Sequence, residues 1–334
     1  MEQRQEVQSD KPSQNDIEVK LEKLSLKSTG NYIGIGIILY LVLTMVLIVS
    51  IQLIYRMNGL YDYNINMSEF SYLDPVSYFL MISIVGILSL FLSFFLVLRL
   101  SKHRLSDVIK FNKLDGKSMF SWVLVGLSTT VCANYVAVLL QNNLEAIGIT
   151  PELPSTPYAN GIIPFFMSVV AVAIVPAIME EFVFRGVVLG MLRKFGDGFA
   201  IIASAAIFGI VHGNVIQSAF AFIVGIILGY IVIRTNSLLP GIIIHLINNF
   251  RSLLVPVFSY NLGNDAGILF EEISSIVFAF IGIIGLVYLL KKDKNMFLIS
   301  ESYSPLSVTK RFNYLTVNAG MIVSLIICII MMVK

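Results

Sequence analysis

Cysteine is nearly absent from this 334-residue chain: Cys132 and Cys328 sit in separate apolar runs. Two distant cysteines exclude a disulfide framework, and without a C-x-x-C pair they argue against a thiolate metal site. Histidine is equally scarce, with three in the chain, and no H-E-x-x-H sequence occurs. No phosphate-binding glycine loop, internal repeat or soluble domain is visible, which removes nucleotide-dependent and solenoid readings. Only 13% of residues are charged and the formal net charge is +2, so nothing indicates a nucleic-acid partner. No cleavable signal peptide is expected, because a polar tail leads into a full-length apolar run.

What remains is apolar. Hydrophobic residues make up 57% of the chain and the mean hydropathy is +0.84. Apolar runs of about twenty residues recur along it, the length a helix needs to cross a bilayer. The expected fold is all-α: a polytopic membrane helical bundle with about 8–9 transmembrane helices. The runs fall near 32–55, 76–100, 119–140, 162–192, 199–213, 216–233, 238–257 and 273–290, with a shorter one at 319–333. Residues 1–27 alternate acids and bases with few bulky apolar groups, as a disordered or weakly helical tail does. The basic stretch 102–117 has apolar residues spaced for a short interfacial helix. Lysine and arginine collect in the connections 102–117, 193–194, Arg234 and 291–311, while the alternate connections hold little beyond Arg56. The positive-inside rule then puts the N-terminus in the cytoplasm of a protein of the cell membrane.

Against this background one stretch stands out, Val175-Pro-Ala-Ile-Met-Glu-Glu-Phe-Val-Phe-Arg-Gly186. Three charges inside a membrane helix cost about 8–10 kcal/mol, near what the whole apolar run offsets. Such a helix needs partners. On a helical wheel Glu181 and Arg185, four apart, lie about 40° from one another and can form an internal ion pair. Glu180 lies about 140° from Arg185 and is left to face something else. Pro176 breaks the backbone ladder one turn earlier.

Two of the three histidines, His212 and His245, also fall in apolar runs, and His245 shares a helical face with Asn249. Glu180 and His212 are each sixteen residues from Gly196, so a regular hairpin puts both about 24 Å from the turn. The same arithmetic leaves His245 and Asn249 one to two turns shallower. An acid and two imidazoles on neighbouring spans indicate a shared polar cavity. Asn248 and Asn249 can also serve as interhelical hydrogen-bonding groups, and Arg251 can reach toward a helix end.

In order, Glu-Glu-x-x-x-Arg (Glu180, Glu181, Arg185), Phe-x-x-x-His (Phe208, His212) and His-x-x-x-Asn (His245, Asn249) resemble the CAAX protease and bacteriocin-processing family, also called CPBP or Abi. The resemblance covers about 160–257. It divides the chain into a polar cytoplasmic tail (1–30), accessory membrane helices (31–160), a four-helix catalytic core (161–257) and C-terminal membrane helices (258–334). It implies an intramembrane endopeptidase acting on a membrane-associated peptide or protein in the lipid bilayer. Glu180 and His212 would activate water, and His245 and Asn249 would stabilise the oxyanion. Glu181, Arg185 and Phe208 would support the site.

Metal dependence stays open at this stage. Glu180, His212 and His245 have the composition of a two-histidine, one-carboxylate zinc site, while a metal-free glutamate mechanism needs no cofactor. Two further readings stand beside the protease: a non-catalytic membrane scaffold or bacteriocin-immunity protein, and a transporter or proton relay. Nothing encodes a preference for prenylated substrates.

Overall fold

A computed structural model describes residues 13–58, 73–151, 160–299 and 303–333. The described residues form helices and no strands, apart from one isolated bridge between Phe111 and Ser237. The helices are α1 (Gln14–Met57), α2 (Pro75–Leu100), α3 (Gly116–Ala146), α4 (Ile162–Phe195), α5 (Asp197–Val211), α6 (Val215–Thr235), α7 (Leu239–Leu262), α8 (Asn264–Lys292), α9 (Val308–Thr316) and α10 (Ala319–Val333). Seven of them are long and apolar enough to cross a membrane, or eight if α9 and α10, bent by 83° at their junction, count as one span. The 15-residue α5 is shorter than these. The protein is a polytopic helical bundle.

The polar start of the chain differs from expectation. The tail expected to be disordered or weakly helical is a regular helix from Gln14 onward, as part of α1. Ser13 caps that helix by accepting from the Asp16 N–H, and the Asp16 carboxylate accepts in return from the Ser13 N–H. Leu26 is fully buried, and Glu22 accepts a hydrogen bond from Ser304 at 2.8 Å. Alternating charge reads as solvated, but here it clothes the outer face of a helix held by the C-terminal segment. The approach is close: a Cβ on Gly34 would lie 2.2 Å from the Gly320 carbonyl carbon of α10. Small residues let membrane helices meet backbone to backbone. Residues 1–12, and the acidic residues Asp62, Glu69 and Glu152, lie outside the described residues.

The interfacial helix expected within 102–117 is reduced to one turn, Leu105–Val108. The strand-like segment after it is pinned to the turn following α6: Leu238 donates to the Lys110 carbonyl at 3.0 Å and Asn112 to the Asn236 carbonyl at 3.2 Å. Val108 and Ile109 fill the notches above Gly190 and Gly186 on α4. Those apolar side chains face protein rather than lipid, which is why the amphipathic spacing does not produce a surface helix.

Five helices, α3 to α7, line the site. α5 and α6 form a tight hairpin, α7 lies against α4 and α3, and α8 braces α3 and α7. α4 is not uniform. Two stretches, Val169–Ile174 and Glu181–Val188, are wound as π-helix, with α-helix between them over Val175–Glu180. Such widened turns are rare and are often found at functional sites.

Candidate active site

The first widened stretch of α4 ends two residues before Pro176. In α-helical register the Val172 carbonyl would accept from residue 176, but proline has no N–H. Asn249 of α7 takes that place, its Nδ2 donating to the Val172 oxygen at 3.1 Å. This hydrogen bond fixes α7 against α4 beside the proline.

The second widened stretch begins at Glu181, so the Glu180–Glu181 pair straddles the change of winding. Glu181 is fully buried, and its Oε1 lies 2.9 Å from Arg185 Nη1 and 3.0 Å from His245 Nδ1. Neither Nη1 nor Nη2 of Arg185 makes a well-aligned hydrogen bond among the described residues. The guanidinium instead lies over the Phe208 ring, 4.0 Å from its centroid, a cation–π contact. Phe208 also meets the His212 ring edge-on at 4.8 Å and the His245 ring at 6.4 Å. One aromatic side chain thus spaces a cation and two imidazoles.

Partners assign the histidine tautomers. A carbonyl can only accept, so His212 Nδ1, 2.7 Å from the Phe208 oxygen, carries the proton. This closes the end of α5, where the 212 and 213 N–H groups step back to the Gly209 and Ile210 carbonyls. His245 Nδ1 likewise donates to Glu181. Both imidazoles therefore keep Nε2 for the cavity. His245 Nε2 lies 3.9 Å from Glu180 Oε2.

Glu180, Phe208, His212, His245 and Asn249 line one cavity of about 590 Å³. Glu181 and Arg185 are absent from its wall and stand behind it. The imidazole in contact with Glu180 is His245, although depth counting paired Glu180 with His212 and set His245 shallower. The count assumed α-helical rise from Gly196 to Glu180, whereas eight of those residues are π-wound. Wider winding shortens that path only slightly, and the 3.9 Å contact itself puts the His245 ring within reach of Glu180.

The wall has members that the motifs did not single out as site residues. Thr130, Asn134 and Gln141 come from α3, Gln217 from α6, and Asn248 and Ser252 from α7. Their signal was available as polar side chains inside apolar runs, but nothing in their spacing tied them to the acid. Gly241 matters differently: a Cβ there would lie 3.1 Å from Glu181 Oε2, so its hydrogen leaves room for the carboxylate. Arg251 binds α7 to α8 through Ser274, Ser275 and the Glu271 carbonyl.

A zinc ion on Glu180, His212 and His245 does not fit this arrangement. Among the described residues no three His, Cys, Asp or Glu side chains are grouped to hold a metal ion. Glu181 and the Phe208 carbonyl aim each imidazole through Nδ1, and His245 is the imidazole within 4.0 Å of the Glu180 carboxylate among the described residues.

Residues 162–251, from the start of α4 to Arg251, match the family model described as Type II CAAX prenyl endopeptidase Rce1-like. That stretch is similar to the family. The Rce1-like stretch is 90 of the 334 residues and contains every motif residue, together with both widened turns of α4. No curated protein and no solved structure matches the chain.

Proposed function

We propose that the Rce1-like core is an intramembrane endopeptidase in which Glu180 and the two imidazoles of the cavity hydrolyse a peptide bond of a membrane-associated or lipidated substrate. The observation that carries this reading is the convergence of Glu180 with His245 and His212 on one cavity large enough for a peptide segment and water. Lipid offers no nucleophile, so a hydrolase inside a bilayer needs such a polar chamber.

Glu180 takes a proton from a water held between it and His212 Nε2, whose lone pair is turned to the cavity by the Phe208 carbonyl. Oxygen attacks the scissile carbonyl and negative charge develops on the carbonyl oxygen. His245 meets that charge as an imidazolium. Its Nδ1–H is held by Glu181, so Nε2 donates only after gaining a proton, and Glu180 at 3.9 Å is the group placed to pass one. The carboxylates on either side stabilise the cation so formed. Asn249 has two amide hydrogens; one serves Val172 and the other faces the oxyanion. Collapse of the intermediate returns a proton to the leaving amine. No step runs through a metal.

The N-terminus is assigned to the cytoplasm of the cell membrane on the lysine and arginine distribution. The test is a comparison of membrane peptide fragments by mass spectrometry between cells carrying wild type and Glu180→Ala. Fragments that disappear with Glu180 identify the substrate. An unchanged fragment pattern alongside an unchanged cellular phenotype overturns the protease assignment in favour of a scaffold.

A further inference from the structure

A second cavity, of about 240 Å³, abuts the first and shares Asn134, Phe220, Asn248 and Ser252 with it. Its other polar wall is Arg251 of α7 and Glu271 of α8. Arg251 is over nine-tenths buried. Its Nε and Nη2 are held at 2.6–2.9 Å by Ser274 Oγ, Ser275 Oγ and the Glu271 carbonyl, all neutral acceptors. Among the described residues no carboxylate lies within 4.0 Å of its guanidinium nitrogens, in contrast to Arg185 and Arg234, which have one. The Glu271 carboxylate is engaged elsewhere, its Oε1 accepting from Asn134 Nδ2 at 3.0 Å.

Arg251 also lies over the Phe278 ring, 5.8 Å from its centroid, and Glu271 acts on it only at longer range. A buried cation bonded directly to neutral oxygens alone is therefore stabilised further by an anion in contact with it. We infer that this annex is a subsite for a carboxylate of the peptide substrate, bound by Arg251 beyond the scissile bond. The inference rests on the endopeptidase reading and adds a specificity element to it. Guanidinium is suited to the task because its donors match the two oxygens of a carboxylate. Glu271 opposes the same ligand by like charge, so the two residues set binding in opposite senses. The carboxylate is either the substrate's own C-terminus or an acidic side chain near it.

The experiment uses the full chain in phosphatidylcholine vesicles and three lipid-anchored, fluorescence-quenched peptides. They differ only at the end: a free C-terminal acid, its amide, and the amide with aspartate as last residue. The expected KM of the amide is about tenfold or more above that of the acid, with kcat little changed. Arg251→Gln closes this gap and Glu271→Gln widens it. Recovery by the aspartyl amide assigns the site to a side chain, and lack of recovery assigns it to the terminus. Equal KM for all three peptides in wild type overturns the proposal. So does a Glu271→Gln protein whose gap is unchanged or smaller, and that arm decides the matter if Arg251→Gln does not fold. The thermal midpoint of detergent-solubilised protein with non-cleavable acid and amide peptides reads binding without catalysis. An acid-specific rise in midpoint, lost in Arg251→Gln, with cleavage equal in wild type and Glu180→Ala, removes the protease reading and leaves the subsite standing.

Discussion

His245 Nδ1 lies 3.0 Å from Glu181 Oε1, on a carboxylate oxygen that Arg185 Nη1 approaches to 2.9 Å. Two adjacent glutamates therefore have separate tasks. Glu181 orients an imidazole from behind, and Glu180 meets the other nitrogen of the same ring from inside the cavity. Neither substitutes for the other, because the helix turns them to different faces.

Removing Arg185 leaves Glu181 buried against a single histidine. Arg185→Met is expected to cost about 3–5 kcal/mol of stability, the penalty for an uncompensated buried charge. Adding Glu181→Gln recovers much of that loss in denaturant or thermal unfolding. Activity does not return, since the glutamine holds His245 without stabilising its protonated form.

Asn249 donates to the Val172 carbonyl beside Pro176, which has no N–H of its own to offer. Asn249→Ala removes this side-chain donor and is expected to cost about 0.5–1.5 kcal/mol. Pro176→Ala supplies an N–H, so it should offset part of the loss in the Asn249→Ala background while doing little for wild type. A double-mutant cycle on unfolding free energies measures the coupling. Strict additivity of the two substitutions contradicts the assignment.

Gly241→Ala places a methyl group 3.1 Å from Glu181 Oε2. The carboxylate must give way, and His245 with it. The expected result is a fall in kcat larger than the change in KM, with the thermal midpoint lowered only modestly, because the disturbance falls on orientation.

Asp115 caps α3 and pairs with Lys292 at the end of α8, 2.5 Å away. The hydrogen bond from Lys292 holds its carboxyl well below the usual carboxylate range. A depressed folded value means stability that is present above the unfolded value of about 3.9 and is lost as pH falls below it toward the folded value. Asn caps a helix as well as Asp, so Asp115→Asn isolates the charge. Its thermal midpoint should lie slightly below wild type at pH 7, and the difference should narrow on acidification below about pH 4.

The sequence made some relationships readable and hid others for physical reasons. The Glu181–Arg185 pair follows from helical spacing alone, because both residues ride one helix and four positions make a face. Polar residues in apolar runs point to a cavity shared by Glu180, His212 and His245, and all three line one, whereas Asn249 enters only through the family resemblance. The Glu181–His245 bond was not, since it depends on the rotation and depth of α7 against α4. Depth counting set His245 shallower than the 3.9 Å approach of its ring to Glu180 allows, and the π winding over Glu181–Val188 is not revealed by apolar spacing. The burial of Leu26 was hidden because its partners lie near residue 304 and beyond, far along the chain.

The most direct measurement is the turnover of a lipid-anchored peptide by purified wild type and Glu180→Gln in vesicles, with thermal midpoints confirming that both are folded. Loss of a general base is expected to lower kcat by about 10²–10⁴-fold with the midpoint unchanged. Turnover by Glu180→Gln equal to wild type contradicts the account.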